Sequence, residues 1–368
     1  MDDKSLKAIE RIKLEIDKID KKETKVSFFV LDTKGVPSGS LEYIYKLAYI
    51  LNEDGYDVNM LYQTEKDDEF VGVGAWLPEK YAKLKHYDIN NDFDVSPADI
   101  VFIPEIFANV MNQTKKLPCK RIAILQNYDY LVEQTPFAAQ WGDFGILDAI
   151  TNTDHNKELL KDIFPYVKTK VVHPYIDEVF TSSLEPKKLI INVVAKDQSD
   201  INRIIKPFYW KYPTLKWVSF KDLRNLTKGN FAKALREAVA TIWVDDTTSF
   251  GYSAIEAMKS GSIVIAKVPN ENIEWTMDEN KTLKNCCIWF DNFNTVQDAI
   301  ASVVRSYITD KVPDVIYEES KKISEPYQFD RTKEDILTYV KSILERRKEE
   351  MNDLIRMVEE NNKKEKKD

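Results

Sequence analysis

The segment from residue 240 to residue 266 constrains the fold more than any other part of this chain. An apolar run at residues 240–244 is typical of a buried strand, and a loop that contains Gly251 follows it. A helix pattern then ends at Gly261, and a second apolar run begins at once. This order predicts a parallel α/β unit, whose ligands bind beyond the carboxyl ends of the strands. The amides at the start of the helix can receive a phosphate, and Glu256 can reach sugar hydroxyls from inside the helix.

The same alternation of strands and helices predicts an α/β protein with two Rossmann-like domains that face a cleft. Apolar runs predict strands at residues 26–31, 57–62, 99–103, 121–125, 147–151, 168–172 and 188–194. Residues 63–97 carry no regular pattern, and Trp217 and Trp243 fall within strand patterns that predict their burial. We divide the chain into an N-terminal helix (1–24), a first domain (25–172), a second domain (173–325) and a C-terminal helix with a charged tail (326–368).

Composition argues against several classes of protein. The 368 residues are 43% apolar and 31% charged, which is typical of globular proteins. No apolar run reaches the roughly 18 residues that suggest a membrane span. The net charge of −8 makes a nucleic-acid partner an unfavoured interpretation. The first residues lack the apolar core of a secretion signal and the three cysteines suit buried thiols, so we expect a cytoplasmic protein. His86, His155 and His173 have no spacing typical of a metal site.

Both ends of the chain carry apolar residues at helical spacing within charged sequence, and this pattern predicts two amphipathic helices. The N-terminal stripe includes Leu6, Ile9 and Ile12, and the C-terminal stripe runs from Ile336 to Val358. The first part of the C-terminal helix can cross back onto the first domain. Its last part, with the N-terminal helix, can form a coiled-coil contact between chains and so a homo-oligomer. The alternative is that each helix packs on its own domain.

The residues after the strand at 240–244 resemble a motif of known enzymes. Phe250-Gly251, Glu256-Ala257-Met258 and Gly261 match the layout Glu-x-Phe-Gly, then Glu-Ala-Met-Ala-x-Gly, of GT-B glycosyltransferases, especially the retaining family 4. Thr248 stands where that family has its first glutamate. The resemblance implies a GT-B fold and the transfer of a sugar from a nucleotide-diphosphate donor to a carbohydrate or other hydroxyl acceptor.

On the donor side, the resemblance implies that Lys196 and Arg203 hold the diphosphate, because family members carry two basic residues in the corresponding loop. Glu256 would bind the ribose hydroxyls, since a carboxylate accepts two hydrogen bonds from a vicinal diol. Thr248 would face the donor sugar. The remaining donor-binding residues implied are Ser38, Gly39, Ser249, Phe250, Gly251, Tyr252 and Ser253. Basic side chains and helix N-termini would neutralise the leaving phosphate, so we expect no metal ion and no cofactor.

On the acceptor side, polar residues follow two predicted strands of the first domain. Glu105 is the candidate acceptor-side base, and its alternative role is to cap a helix. Gln126, Asn127 and Asp129 suit the hydroxyls of an acceptor, and their alternative role is loop structure. We assign catalytic roles to Lys196, Glu256 and Glu105.

Alternative interpretations stay open from the sequence alone. Lys196, Arg203 and Glu256 can be ordinary surface charges, and the loops around Gly39 and Gly251 can be plain helix-start turns. Thr248 and the altered Lys196 loop favour a second hypothesis, a non-catalytic GT-B-like protein that binds a partner. A sugar-nucleotide epimerase of the same shape would need acids and histidines that we do not find. Transfer of a sugar to a modified DNA base is disfavoured by the acidic composition.

Overall fold

The computed structural model describes residues 3–365 except 64–70, 72–75, 92, 184, 246–249, 270–272 and 312. The chain forms two sheets of parallel strands with helices packed against them, which confirms the predicted α/β class. We call the part with the first sheet the first domain and the part with the second sheet the second domain. Over the described ranges, no helix combines the length and the apolar character that spanning a membrane would require.

The first domain contains seven parallel strands in the order β3-β2-β1-β4-β5-β6-β7. They are β1 (Lys25–Phe29), β2 (Asp57–Tyr62), β3 (Lys85–Asp88), β4 (Ile100–Pro104), β5 (Lys120–Leu125), β6 (Asp148–Thr151) and β7 (Lys168–Val171). The helices are α1 (Asp3–Asp20), α2 (Gly39–Glu53), α3 (Glu79–Ala82), α4 (Ala108–Gln113), α5 (Tyr128–Gln134) and α6 (Asp154–Ile163). The central strands are buried along almost their whole length, as in a parallel sheet covered on both faces. Among the described residues of the stretch 63–97, in which no element was predicted, α3 and β3 form.

The second domain contains five parallel strands in the order β12-β11-β10-β8-β9. They are β8 (Lys188–Ala195), β9 (Ser219–Asp222), β10 (Ala238–Val244), β11 (Ile263–Lys267) and β12 (Cys287–Phe290). The helices are α7 (Gln198–Lys211), α8 (Lys228–Glu237), α9 (Tyr252–Lys259), α10 (Val296–Ile308) and α11 (Asp314–Ser324). The predicted strand–helix–strand unit is therefore confirmed as β10, α9 and β11.

The burial prediction is confirmed for Trp243 and wrong for Trp217. Trp243 on β10 is 2% exposed, whereas Trp217 is 56% exposed. Trp217 lies in the turn before the edge strand β9, and its indole N–H donates to the carbonyl oxygen of Thr214 at 2.9 Å. A short apolar pattern next to an edge strand therefore belongs to the loop and not to the core.

The C-terminal helix α12 (Phe329–Glu365) returns to the first domain. Ile336, Val340 and Ile343 are buried in the same core as β1 and α2. Helix α1 packs against α12, where Lys348 Nζ lies 2.6 Å from a carboxylate oxygen of Asp20. The terminal helices therefore contact each other within one chain, and a contact between chains stays a prediction.

The order of the strands determines where a ligand can bind. Strand β1 lies between β2 and β4. After β1 the chain adds β2 on one side of β1, and it later adds β4 on the other side. In the second sheet, β8 lies between β9 and β10 in the same manner. A crevice forms beyond the carboxyl ends of the strands at each such reversal. The loops after β1, β8 and β10 are therefore the expected walls of a site.

Candidate active site

Two adjoining cavities lie between the loops at the carboxyl ends of the two sheets. The larger cavity has a volume of about 440 Å³ and the smaller cavity about 320 Å³. Both domains contribute to both cavities. The residues that line both are Pro37, Ser38, Gly39, Lys196, Trp243, Asp245, Tyr252 and Ser253. A cleft of this size suits a small-molecule ligand.

Residues 250–253, which we call the Gly251 turn, lead from the β10 side of the cleft into α9. Gly251 has φ +75°, in the left-handed region that favours glycine. A Cβ atom there would lie 2.9 Å from Trp243 Cζ2 and 3.2 Å from Trp275 Cζ2. The indole N–H of Trp275 donates to the carbonyl oxygen of Phe250 at 2.6 Å. Two tryptophans therefore fix the turn, and the first amides of α9 lie at the cleft, where an anion can accept their hydrogen bonds.

Ser38 and Gly39 bring the first domain against the Gly251 turn. Ser38 caps α2, since its hydroxyl oxygen accepts a hydrogen bond from the amide of Leu41 at 3.3 Å. A Cβ atom on Gly39 would lie 3.1 Å from Tyr252 Cδ2. Because Gly39 has no side chain, Tyr252 of the second domain can approach the start of α2 closely.

Lys196 follows β8 and lines both cavities. Its side chain is 63% exposed, and its Nζ atom lies 2.9 Å from Asp245 Oδ1. An exposed ion pair of this kind contributes little to stability. Lys196 can therefore exchange Asp245 for a ligand anion at little cost in stability.

Glu256 lines the larger cavity from within α9, but it does not face open solvent. It is 4% exposed, and its Oε1 atom lies 3.2 Å from Nζ of Lys228 at the start of α8. Burial raises the pKa of Glu256 to about 7, although Lys228 acts in the opposite direction. The group is therefore close to its titration point at neutral pH and can either accept or donate a hydrogen bond.

Glu256 belongs to a buried charge cluster that joins the two domains, which we call the cleft-floor cluster. Its members are Glu42 and Lys46 of α2, Asp177, Lys228 and Glu256. Asp177 belongs to residues 172–187 between β7 and β8, which we call the crossing segment. Lys46 is 1% exposed, and its Nζ atom lies 2.6 Å from Glu42 Oε1 and 3.1 Å from Asp177 Oδ2. Lys228 also pairs with Glu42, and it lies 3.3 Å from Asp177 Oδ2. The two lysines are thus shared among three carboxylates from both domains.

The charges of the cleft-floor cluster are balanced from within. Burial opposes ionisation of Asp177, yet Lys46 and Lys228 together lower its pKa to about 2. Burial also opposes ionisation of Glu42, and again Lys228 and Lys46 hold its pKa below the usual value. The neighbouring carboxylates, Glu256 first, raise the pKa of Lys228 against the effect of burial. Two ionised carboxylates and two lysines therefore compensate each other while Glu256 is protonated.

Sequence reasoning missed Glu42, Lys46, Asp177 and Lys228. The spacing of Glu42 and Lys46 is that of an ordinary surface ion pair on a helix. One signal was available at Lys228, because a lysine in the first turn of a helix opposes the helix dipole and needs a compensating acid. The other members of the cleft-floor cluster lie more than a hundred residues from Glu42 and Lys46, so no local pattern identifies them.

The smaller cavity includes two of the predicted acceptor-binding residues, Gln126 and Asn127, together with Tyr130 and Asn152. Glu105 is 2% exposed and lines neither cavity over the described residues. Its Oε1 atom accepts hydrogen bonds from the amides of Gln126 at 3.1 Å and Asn127 at 2.8 Å. Burial raises the pKa of Glu105 to about 7, and these backbone bonds limit the rise. The structure thus places Glu105 behind the predicted acceptor residues, as a support for their turn.

The remaining predicted residues are not brought into the described cleft. Arg203 is exposed on α7, where its Nη1 atom lies 3.4 Å from Asp200 Oδ1 and its guanidinium group stacks on Phe293. Asp129 is in the first turn of α5, and its amide donates to Asn127 Oδ1 at 2.8 Å. Neither lines either of the two cavities described above. Thr248 and Ser249 lie outside the described residues.

These features together define what the cleft can bind. The larger cavity has basic groups at Lys196, Arg224 and Lys228 and an apolar wall at Leu223, Leu226 and Phe231. The smaller cavity offers amide side chains. Helix amides and basic side chains suit phosphate groups, an apolar wall suits a nucleobase, and amides suit hydroxyls. The cleft is chemically suited to a nucleotide on one side and a polyhydroxyl compound on the other.

Two parallel α/β domains, a cleft at the carboxyl ends of both sheets and a C-terminal helix that crosses back define the GT-B fold of glycosyltransferases. Sucrose-phosphate synthase of Thermosynechococcus elongatus shares the fold with a TM-score of 0.58 and 11% identity, over 87% of this chain and 99% of that chain. The Anabaena Alr3699/HepE protein, solved in complex with UDP-glucose, gives 0.58 and 12%, over 86% and 99%. A glycosyltransferase of Rickettsia africae ESF-5 gives 0.57 and 14%, over 87% and 98%.

In sequence, the chain is similar to an alpha-1,6-glucosyltransferase of Actinobacillus pleuropneumoniae serotype 7 (strain AP76). The two are 24% identical over 228 residues, which are 58% of this chain and 64% of the relative. The match thus covers less than two thirds of the relative's own length. No family model matches the chain.

Proposed function

We propose that this protein is a glycosyltransferase that moves a hexosyl group from a nucleoside-diphosphate sugar to a hydroxyl acceptor. The observation that carries the proposal is that Lys196 and the Gly251 turn meet at two adjoining cavities between the two domains, with Glu256 in the wall of the larger one. The relative is named as an alpha-1,6-glucosyltransferase, and the Anabaena neighbour was solved with UDP-glucose. These names support UDP-glucose as the first donor to test.

In the proposed reaction, the donor diphosphate lies at the Gly251 turn, between the amides of α9 and Lys196. Negative charge grows on the leaving diphosphate as the glycosidic bond breaks, and fixed amides together with a lysine stabilise that charge. Glu256 binds the ribose hydroxyls from the floor of the cavity, as the family 4 resemblance implies. The acceptor lies in the smaller cavity beside Gln126 and Asn127. We propose that transfer proceeds with retention and that no metal ion takes part at the reacting centre.

Calorimetric titration of the purified protein with UDP, GDP and ADP tests the donor half of the proposal. We expect one diphosphate to bind, and Lys196→Ala to weaken that binding about 10-fold, the loss of roughly one charge-assisted hydrogen bond. Lys206→Ala is the matched control, because Lys206 is exposed on α7 and lines neither cavity. Binding of no nucleoside diphosphate would contradict the proposal and favour the non-catalytic binding protein.

Release of diphosphate from UDP-glucose in the presence of candidate saccharides tests the transfer half. We expect Glu256→Gln to reduce release and Glu318→Gln, on an exposed face of α11, to leave it unchanged. Analysis of the anomeric configuration of the product decides between retention and inversion. Undiminished release after treatment with a chelator supports transfer without a metal ion, and a loss that Mg²⁺ or Mn²⁺ restores contradicts it.

A further inference from the structure

A second group of titratable side chains joins the two domains, away from both cavities. Asp154 begins α6 of the first domain, His173 lies in the crossing segment, and Glu274 belongs to the second domain. His173 Nε2 lies 3.4 Å from Asp154 Oδ2 and 3.3 Å from Glu274 Oε1, and all three atoms lie within 4.8 Å of one another. We call these three residues the hinge cluster.

The imidazole of His173 is buried without the partners that a buried polar group normally has. The residue is 6% exposed, and neither Nδ1 nor Nε2 makes a hydrogen bond within the part of the chain that the structure describes. Buried polar side chains are nearly always hydrogen-bonded or bound to an ion, because desolvation is otherwise uncompensated. Nε2 instead faces two carboxylates at distances beyond a good hydrogen bond.

The two separations from His173 Nε2 are those of ligands around one ion. Zinc binds imidazole nitrogen and carboxylate oxygen at about 2.0–2.2 Å in tetrahedral geometry. Two ligands at tetrahedral angles and such bond lengths are about 3.4 Å apart. The separations of 3.4 and 3.3 Å from His173 Nε2 match this value, whereas neighbouring ligands of an octahedral magnesium ion would lie about 3.0 Å apart.

Backbone contacts hold the potential ligands in place. The amide of Asp154 donates to Glu274 Oε2 at 3.1 Å, so the second oxygen of that carboxylate is anchored by the other domain. Thr332 Oγ1 of α12 donates to the carbonyl oxygen of His173 at 2.7 Å. Contacts of this kind orient ligands around a metal and raise its affinity. Among the described residues, no lysine or arginine lies within ion-pair distance of either carboxylate of the cluster.

We propose that Asp154, His173 and Glu274 bind a zinc ion that ties the first domain, the crossing segment and the second domain together. The ion is structural, since none of the three residues lines either cavity. Glu274 precedes Trp275, whose indole holds the carbonyl oxygen of Phe250 in the Gly251 turn. Zinc at the hinge cluster therefore holds the segment at Glu274 and Trp275, which supports the Gly251 turn. This proposal does not depend on the nature of the donor.

The test is a calorimetric titration of the chelator-stripped, untagged full chain with Zn²⁺ and, separately, with Mg²⁺. We expect one zinc ion per chain, weaker binding of magnesium, and a loss of at least about 10-fold in zinc affinity in both His173→Gln and Glu274→Gln. His86→Gln is the control, because His86 is bonded to Tyr45 on the opposite edge of the first sheet and should leave zinc binding unchanged. Circular dichroism establishes that each variant is folded.

A second readout uses the thermal midpoint of the same proteins. Zinc should raise the midpoint of the wild-type protein and of His86→Gln, and should not raise that of Glu274→Gln. The proposal is overturned if zinc does not bind, if it binds the hinge variants as tightly as the wild type, or if magnesium binds equally well. The first outcome would make the hinge cluster a direct contact of His173 with two carboxylates.

Discussion

The cleft-floor cluster and the hinge cluster both join the two domains, but they balance their charges in different ways. The cleft-floor cluster contains its own cations, since Lys46 and Lys228 each lie within 3.3 Å of more than one carboxylate. The hinge cluster contains two carboxylates and one imidazole, and its contacts are longer than good hydrogen bonds. One cluster is therefore complete in the folded chain, and the other has the composition of a site that takes up an ion.

This difference separates two roles that charged residues between domains can have. A buried, internally balanced cluster fixes the relative position of the domains, and removal of one member leaves an uncompensated charge. A partly exposed cluster with excess negative charge responds to what is dissolved around the protein. We expect the first kind to contribute to stability with or without a metal ion, and the second to depend on the available metal.

The largest effect is expected from Lys46→Met, which removes one cation of the cleft-floor cluster and keeps most of the side-chain volume. Glu42 and Asp177 then each lose one of their two lysine partners in a buried setting, and breaking such a pair costs about 3–5 kcal/mol of unfolding free energy. Urea denaturation followed by tryptophan fluorescence measures this change. Lys85→Met is the control, because its pair with Asp57 is equally short at 2.7 Å but exposed, and exposed pairs contribute at most about 1 kcal/mol. Equal losses of unfolding free energy in the two variants would contradict the expected difference between the buried and the exposed ion pair.

The next effect is expected from Gly251→Ala, in the turn at the start of α9. The new Cβ atom would combine backbone strain with a contact of 2.9 Å to Trp243, for a loss of about 2–4 kcal/mol. Gly55→Ala is the matched control. Gly55 has φ +94°, and a Cβ atom added there would have no atom within 4 Å, so backbone strain alone costs about 1–2 kcal/mol. Thermal denaturation compares the two, and nucleotide titration should weaken only in Gly251→Ala. Similar behaviour of both variants would mean that the turn is not fixed by Trp243 and Trp275.

The sequence predicted the architecture well, because the signals for parallel α/β units are local. The segment at residues 57–62 was predicted as a strand and forms β2 with the same limits. Trp217 shows where this reasoning fails, since an apolar run next to an edge strand has the same pattern as a buried one. Short elements such as β3, with partly exposed residues, give no periodic signal at all.

The site was less predictable, because its chemistry depends on residues from distant parts of the chain. The position of Glu256 near a cavity follows from its place in α9. Its partner Lys228 also pairs with Glu42 of the first domain, and that contact depends on how the domains meet. Glu105 follows a strand end, as a catalytic acid often does, and only the structure shows it bound to two amides. The hinge cluster combines one histidine with two acids from separate segments, so the spacing of the histidines alone could not indicate it.

A pH-dependent effect is expected from Glu256→Gln. The raised pKa of about 7 means that the folded protein holds a proton on Glu256 that the unfolded chain releases near 4.5. Stability from this group is therefore fully present below about pH 4.5 and is lost as the pH rises through about 7. The unfolding free energy of the wild type should fall over this range, and the fall should be smaller in Glu256→Gln. Urea titrations at several pH values measure it, and a variant with the slope of the wild type would assign the dependence to another group.

The smallest effect is expected from Glu274→Gln in the presence of a chelator. Its side chain is 28% exposed, and among the described residues no lysine or arginine lies within ion-pair distance of it, so the metal-free protein should change by less than about 1 kcal/mol. Zinc at a hundredfold excess over its dissociation constant should then stabilise the wild type by about 2.7 kcal/mol and the variant by far less. Urea denaturation with and without zinc measures both. A large loss of unfolding free energy in the metal-free variant would show that the hinge cluster stabilises the fold without an ion, as the cleft-floor cluster does. The contrast between the two clusters would then fail.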